Sequence, residues 1–397
     1  MTFEQTHPWI SFAVDLRRAQ PALWMLLGEA RSKCDHIAGV PLEPATARRL
    51  HQLYLAKGAL ATTAIEGNTL SENEVLKHLE GKLRLPPSKQ YLAKEIDNIV
   101  AACNQVLSDA VVAGGPSRLS PDKVKEFNRR VLDGLELEEG VVPGEVRKHS
   151  VGVARYRGAP FEDCEDLLKR LCDWLNGPDF APASDLEIEY AILRAIIAHL
   201  YLAWIHPFGD GNGRTARMVE FQILVSAGVP SPAAHLLSNH YNQTRAEYYR
   251  QLDRASRSGG DIPPFIGYAL RGFVDGLRSQ LEEIREQQLD VTWINYVHEA
   301  FKDRNRPPDV RRRRLVLDLT KTDGPVLVAR LREVSPRVAE AYAHKTPKTL
   351  SRDINTLLKM GLVKQTPEGF VANREIILAF LPDRAGDHPQ RQAGSKG

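Results

Sequence analysis

The sequence predicts a mainly α protein in which strand is confined to two short hairpins. Apolar residues recur at helical spacing through most of the chain, as with Leu92, Ile96, Ile99, Val100 and Cys103 within 91–112. Alternation appears only at Val151-Gly152-Val153 and about the Pro367-Glu368-Gly369 turn, where Leu362-Val363-Lys364 faces Phe370-Val371. Ser120-Pro121 and Thr346-Pro347 each set a capping hydroxyl before a proline suited to a first helical turn.

The elements follow in order. From about Arg17 to Gly114 the pattern is helical, with Leu50, Leu53, Leu55 and Leu60 ahead of a break at Leu85-Pro86-Pro87. A helix opens at Ser120 and runs through Leu132. The hairpin lies between Gly144 and Pro160, and helices resume over 161–176, 186–205, 215–227 and 242–256. The Gly259-Gly260-Asp261-Ile262-Pro263-Pro264 break precedes a helix from Phe265 to about Gln288. A helix from Thr346 turns Leu350, Ile354, Leu357 and Leu358 inward and stops at Gly361.

A chain of 397 residues holds two or three domains, and 43% hydrophobic with 26% charged residues describes a soluble protein. The apolar stretch Leu186 to Ile205 carries Glu187, Glu189, Arg194 and His199, so it reads as a buried core helix rather than a membrane span. The N-terminus has no basic region followed by an apolar core, and a cytoplasmic location is expected. Cys34, Cys103, Cys164 and Cys172 form no C-x-x-C pair, which points to reduced thiols and away from structural zinc. Of the net charge of +3, residues 291–380 carry 17 Lys/Arg against 10 Asp/Glu, and the first 290 residues are net acidic.

Residues 206–217, HPFGDGNGRTAR, concentrate the chemistry. His206 can accept a proton near neutral pH, and Asp210 can hold a hard cation. Gly211 and Gly213 let backbone N–H groups approach phosphate oxygens, at the start of a helix whose N-terminus favours anions. Arg214 and Arg217, three apart, share one face of that helix. This is an inventory for gripping and using a nucleoside triphosphate.

The run matches every specified position of H-x-F-x-[D/E]-G-N-G-R-x-x-R and so resembles the Fic signature. The resemblance implies an all-helical Fic core with a hairpin flap that aligns a target segment by strand addition. It implies transfer of AMP from ATP to a Ser, Thr or Tyr hydroxyl of a target protein, with self-modification. His206 would be the general base, Asp210 would hold Mg²⁺, and Gly211, Asn212 and Gly213 would cradle phosphate beside Arg214 and Arg217. Gly213 favours AMP transfer, since relatives that phosphorylate their targets have a bulkier residue there. Tyr248-Tyr249 resembles a tyrosine pair that follows the signature, with Tyr249 lining the nucleoside pocket. The flap departs from the family at Val146, where an aromatic is usual, and at Ala154, a common Gly; Ser256 replaces a family Asn.

Thr62-Thr63-Ala64-Ile65-Glu66-Gly67 resembles the family's inhibitory motif, [S/T]-x-x-x-E-[G/N]. The resemblance implies that Glu66 pairs with Arg217 and fills the space of the γ-phosphate, with Thr62 helping to fix the segment. A glutamate so placed could also activate water to remove AMP, so a deAMPylase is an alternative.

The C-terminal helices and hairpin resemble a winged helix–turn–helix, with Lys348, Thr349, Ser351, Arg352, Asn355 and Lys359 outward and a basic run at Arg311 to Arg314. A DNA-binding regulator with a nucleotide-sensing core is the rival reading. The expected organisation is an N-terminal helical region with the inhibitory motif (1–114), a Fic core (115–288), a winged helix domain (289–380) and a disordered tail (381–397). Expected partners are a protein with a modifiable hydroxyl, DNA through the winged helix and a second copy of the chain, but no membrane.

Overall fold

The computed structural model describes residues 2–378 except Arg18, Gly114, Pro116, Ala154, Arg155 and Ser184. The expectations for Ala154 and for the 381–397 tail lie outside the described residues. The chain forms two compact bodies, residues 1–282 and 283–397. The division expected between residues 114 and 115 is not one between bodies, because both regions fall in the first.

In the first body, helices α1 (Pro21–Gly39), α2 (Pro44–Ala64), α3 (Glu72–Leu79) and α4 (Gln90–Ala113) precede α5 (Pro121–Val131). Strands β1 (Gly152–Val153) and β2 (Tyr156–Arg157) form the hairpin; α6 (Cys164–Leu175), α7 (Glu187–Ile205), α8 (Asn212–Ser226), α9 (Leu236–Gln243) and α10 (Arg245–Arg257) follow, and α11 (Pro263–Ala300) begins in the first body and ends in the second. Caps explain several starts. Ser120 Oγ accepts from the Lys123 amide at 3.2 Å, and Ser71 and Glu74 complete a reciprocal capping box at α3.

The apolar helix α7 is a core helix, with Ile192, Ile196, Leu200 and Trp204 fully buried and 78% of its apolar window inside the protein. It packs along α8, which also meets α4 and α5, while α2 lies on α9. The site-bearing loop between α7 and α8 is therefore held by the most buried pair of helices in the body. The hairpin is antiparallel, with Gly152 opposite Arg157 and Val153 opposite Tyr156.

Three boundaries differ from the sequence reading. Helix α8 begins at Asn212 rather than 215, because Gly211 at φ 75° turns the chain directly into it. The expected helix 242–256 is two helices that part at Thr244, and the helix expected to stop at Gln288 continues to Ala300.

In the second body, α12 (Pro307–Leu319), α13 (Pro336–Tyr342) and α14 (Pro347–Lys359) precede strands β3 (Val363–Thr366) and β4 (Gly369–Ala372). Its own core gathers Trp293, Phe301, Leu315, Leu331, Leu357 and Phe370. Gly369 is required: its φ is 146°, and a Cβ there would lie 2.6 Å from the Val326 carbonyl, which bridges to the hairpin. The Arg311 to Arg314 run is only half outward. Arg311 and Arg312 donate to the buried Asp353 carboxylate at 2.8 and 2.7 Å, and the Tyr342 hydroxyl donates to it at 2.9 Å.

Candidate active site

His206 ends α7 in a left-handed conformation, φ 50° and ψ 59°, its amide still donating to Leu202. That turn lifts the imidazole off the helix and into a cavity of about 610 Å³ lined by Ile65, Glu66, Gly152, Gly213, Tyr249 and Asp253 among others. Burial, reinforced by the nearby Arg147 guanidinium, pushes His206 down to about 4, so at neutral pH the ring is an uncharged base.

The loop after His206 braces itself. The Asn212 side chain accepts from the Phe208 amide at 2.9 Å and donates to the Phe208 carbonyl at 2.8 Å. The Asn212 side chain thus closes the loop, and its N–H lies in the first turn of α8, where an anion would be favoured. Phe208 is buried. From α5, fully buried Asn128 donates to the Asp210 carbonyl at 2.9 Å and accepts from the Gly144 amide at 2.9 Å, joining the loop to the segment that leads into the hairpin.

Both arginines are buried and held by acids. Arg214 pairs with Glu95 at 3.1 Å and with Asp210 at 3.2 Å, and Asn68 donates to the other Glu95 oxygen at 2.9 Å. Arg217 donates to Glu66 at 2.5 Å and to the Thr62 carbonyl at 2.9 Å. Thr62 thus acts through its backbone. Burial works to raise the Glu66 carboxyl, but Arg217 outweighs it and holds Glu66 below the usual carboxylate range. Arg214 Nε and Arg217 Nε and Nη1 are buried and have no acceptor among the described residues. Donors left so are suited to phosphate oxygens.

Helix α2 ends just before Glu66, where Gly67 at φ 110° reverses the chain. Arg245, at the start of α10, donates to the carbonyls of Ala64 and Ile65 and pins that end. Of the tyrosine pair, Tyr248 turns inward with its hydroxyl 2.8 Å from His199, while Tyr249 is 38% exposed and lines the cavity. His199 also pairs with buried Glu220 at 3.2 Å and belongs to the core. The structure adds Glu95, Arg147, Arg245 and Asp253 to the residues anticipated from sequence. Glu95, Arg245 and Asp253 lie in helices anticipated from sequence but on faces that nothing there marked, and Arg147 stood in the segment that leads into the hairpin.

Asp210 is the one carboxylate on the loop, with its side chain 48% exposed. Among the described residues no group of three or more His, Cys, Asp or Glu could hold a metal by itself. Mg²⁺ is commonly held by one or two carboxylates together with substrate phosphates, and a lone exposed Asp beside orphan phosphate donors fits that use.

Residues 118–224 match the model of the Fic/DOC family. They form a Fic domain. Protein adenylyltransferase fic-1 of Caenorhabditis elegans is 35% identical over 210 residues, which is 53% of this chain and 38% of that protein. Protein adenylyltransferase Fic of Nematostella vectensis is 29% identical over 246 residues, 62% of this chain and 53% of that one. The chain therefore spans about two fifths to a half of these curated relatives. Among solved structures, a Fic family protein from Desulfovibrio desulfuricans G20 covers 91% of this chain and 98% of its own at a TM-score of 0.56 and 20% identity, a likeness of fold. C. elegans Fic-1 covers 67% and 73% at 0.52 and 28% identity. The Fic domain holds α5 to α8 and the hairpin, while Glu66 and Tyr249 lie outside its matched range.

Proposed function

We propose that this chain is a protein adenylyltransferase that moves AMP from ATP to a hydroxyl of a protein, and that Glu66 holds it inactive. One observation carries the reading: Arg217, almost wholly buried beside the His206 cavity, is paired with the Glu66 carboxylate, while its Nε and Nη1 have no acceptor among the described residues. The names of the curated relatives support the reaction class.

In the productive arrangement the β- and γ-phosphates replace Glu66 on Arg217 and engage Arg214, and the amides of 211–213 meet the phosphate oxygens at the head of α8. Tyr249 flanks the nucleoside. The target hydroxyl loses its proton to the neutral His206 ring as its oxygen bonds to the α-phosphorus, and the bond from that phosphorus to the bridging oxygen breaks to release pyrophosphate. Asp210 would hold Mg²⁺, which supplies neutralising charge to the phosphates. With Glu66 on Arg217, the γ-phosphate has no place and ATP settles unproductively.

Full-length protein incubated with α-labelled ATP and Mg²⁺ tests this. Glu66→Gly should increase self-labelling tenfold or more over wild type, and adding His206→Ala should abolish it. Equal labelling of wild type and Glu66→Gly would remove the inhibitory role; label on the His206→Ala protein would refute the base.

A second reading concerns the C-terminal body. Helix α14 exposes Lys348, Ser351, Arg352, Asn355 and Lys359 ahead of the β3–β4 hairpin. Duplex DNA contact through this face would act mainly on phosphates. A mobility shift that weakens steeply with salt, and that Arg352→Glu with Lys359→Glu abolishes, is the expected result.

A further inference from the structure

We infer that Arg147 is a positioning residue that fixes both roots of the hairpin onto the catalytic loop, so that the edge offered to a target strand and the base beside it are held in one register. Its guanidinium is buried and reaches three carbonyls from three places. Nε donates to His206 at 2.7 Å, Nη1 to His149 at 2.7 Å, and Nη2 to Ala159. His149 enters the hairpin, Ala159 leaves it, and His206 is the residue proposed to take the proton. The Arg147 amide adds a fourth tie, to the Pro207 carbonyl at 2.9 Å.

Arginine suits this position for stated reasons. Its planar fork presents five N–H donors in fixed directions, which a lysine cannot reproduce. No carboxylate pairs with it among the described residues. Its buried charge instead faces the C-terminal end of α7, where backbone carbonyls and the negative end of the helix dipole favour a cation. Gly158 reports how close the packing is: a Cβ there would lie 3.0 Å from Arg147 Nη2 and 3.0 Å from His206 Cβ. The returning strand thus passes against guanidinium and base together. On the other side, Asn128 ties Gly144 to the Asp210 carbonyl, so the hairpin lead-in and the loop are fastened at two points.

The catalytic consequence rests on the adenylyltransferase reading, but the mechanical one does not. Arg147→Lys retains the charge and loses the fork, whereas Gly158→Ala presses on the same junction without touching either partner's chemistry. Both are made in the full chain carrying Glu66→Gly. Hydrogen exchange of peptides spanning 148–160 should accelerate tenfold or more in each, while α4 and α6 keep their protection. Self-labelling kcat should fall about 100-fold, as expected when a base moves by about 1 Å. KM for ATP should stay within about threefold, because Arg147 does not touch the nucleotide grip.

Unchanged exchange of the hairpin in Arg147→Lys overturns the inference. So does exchange accelerated equally throughout residues 1–282, or a rise in KM for ATP that matches the loss of kcat, since either marks a plain structural brace. Should the Glu66→Gly parent itself carry no label, the adenylyltransferase reading fails and the exchange comparison alone decides the role of Arg147.

Discussion

The Glu66 carboxylate occupies the space a side chain at Gly213 would need: a Cβ at 213 would fall 2.1 Å from Glu66 Oε1. The Glu66 carboxylate and the glycine of the signature are therefore two sides of one contact, and the bare backbone at Gly213 is what admits Glu66.

Gly213→Ala should accordingly cost more in the wild-type chain than in the Glu66→Gly background. In the wild-type chain the methyl displaces Glu66 and strands the Arg217 charge. Where Glu66 is already glycine, only the Arg217 guanidinium, 3.0 Å from the added Cβ, opposes the methyl, and the better helix propensity of alanine offsets part of that. Thermal melts of the two single variants and the double variant should give a coupling of about 1–2 kcal/mol. Additive shifts would mean that Glu66 and residue 213 do not compete for space.

Arg245 acts only through the segment it pins. Arg245→Ala frees the Ala64 and Ile65 carbonyls and should raise self-labelling severalfold. In the Glu66→Gly background it should add nothing. An equal rise in both backgrounds would assign Arg245 to the nucleotide pocket instead.

Acid should weaken the first body in a defined window. Burial pushes His206 down to about 4 and, with His51 adding to it, His235 down to about 3, both from an ordinary 6.5. Between those values and 6.5 the unfolded chain binds more protons than the folded one, so stability rises with pH across the window. It is fully present above about 6.5 and lost as pH falls towards 4 and 3. Chemical unfolding of wild type and His235→Gln should therefore differ in pH slope between pH 6.5 and 4 and run parallel above 7.

Asp353 is the counter-charge for two arginines and accepts from the Tyr342 hydroxyl, with its side chain 1% exposed. Asp353→Ala should destabilise the C-terminal body by about 3 kcal/mol, the scale for removing one side of a buried ion pair. Arg314→Ala should shift its melting by much less, since Arg314 is exposed. Equal losses would make the basic run uniform, as its sequence alone suggests.

The helices and the signature were legible because their information is local: apolar spacing, capping pairs and a dense motif each act within a few positions. Arg214 and Arg217 sharing a face, Glu66 opposing Arg217 and Tyr249 reaching the cavity followed from such signals together with the family resemblance. What escaped was long-range or bifunctional. Glu95 meets Arg214 from 119 positions away, and nothing near it in sequence marks it. Asn212 has both a side chain and an N–H that could serve an anion, and only the fold shows that Phe208 takes the side chain. Thr244 divides the expected 242–256 helix although the residues on both sides keep helical character. The Arg311 to Arg314 run read as one surface because the inward pull of Asp353 comes from a different helix.

His206 ends its helix in a left-handed conformation that costs a residue with a side chain about 1–2 kcal/mol and a glycine almost nothing. Selection for folding alone would therefore replace it. His206→Gly should melt higher than the native chain while losing self-labelling, which would make the proposed base a standing load on the fold, retained only while a reaction that uses it is under selection.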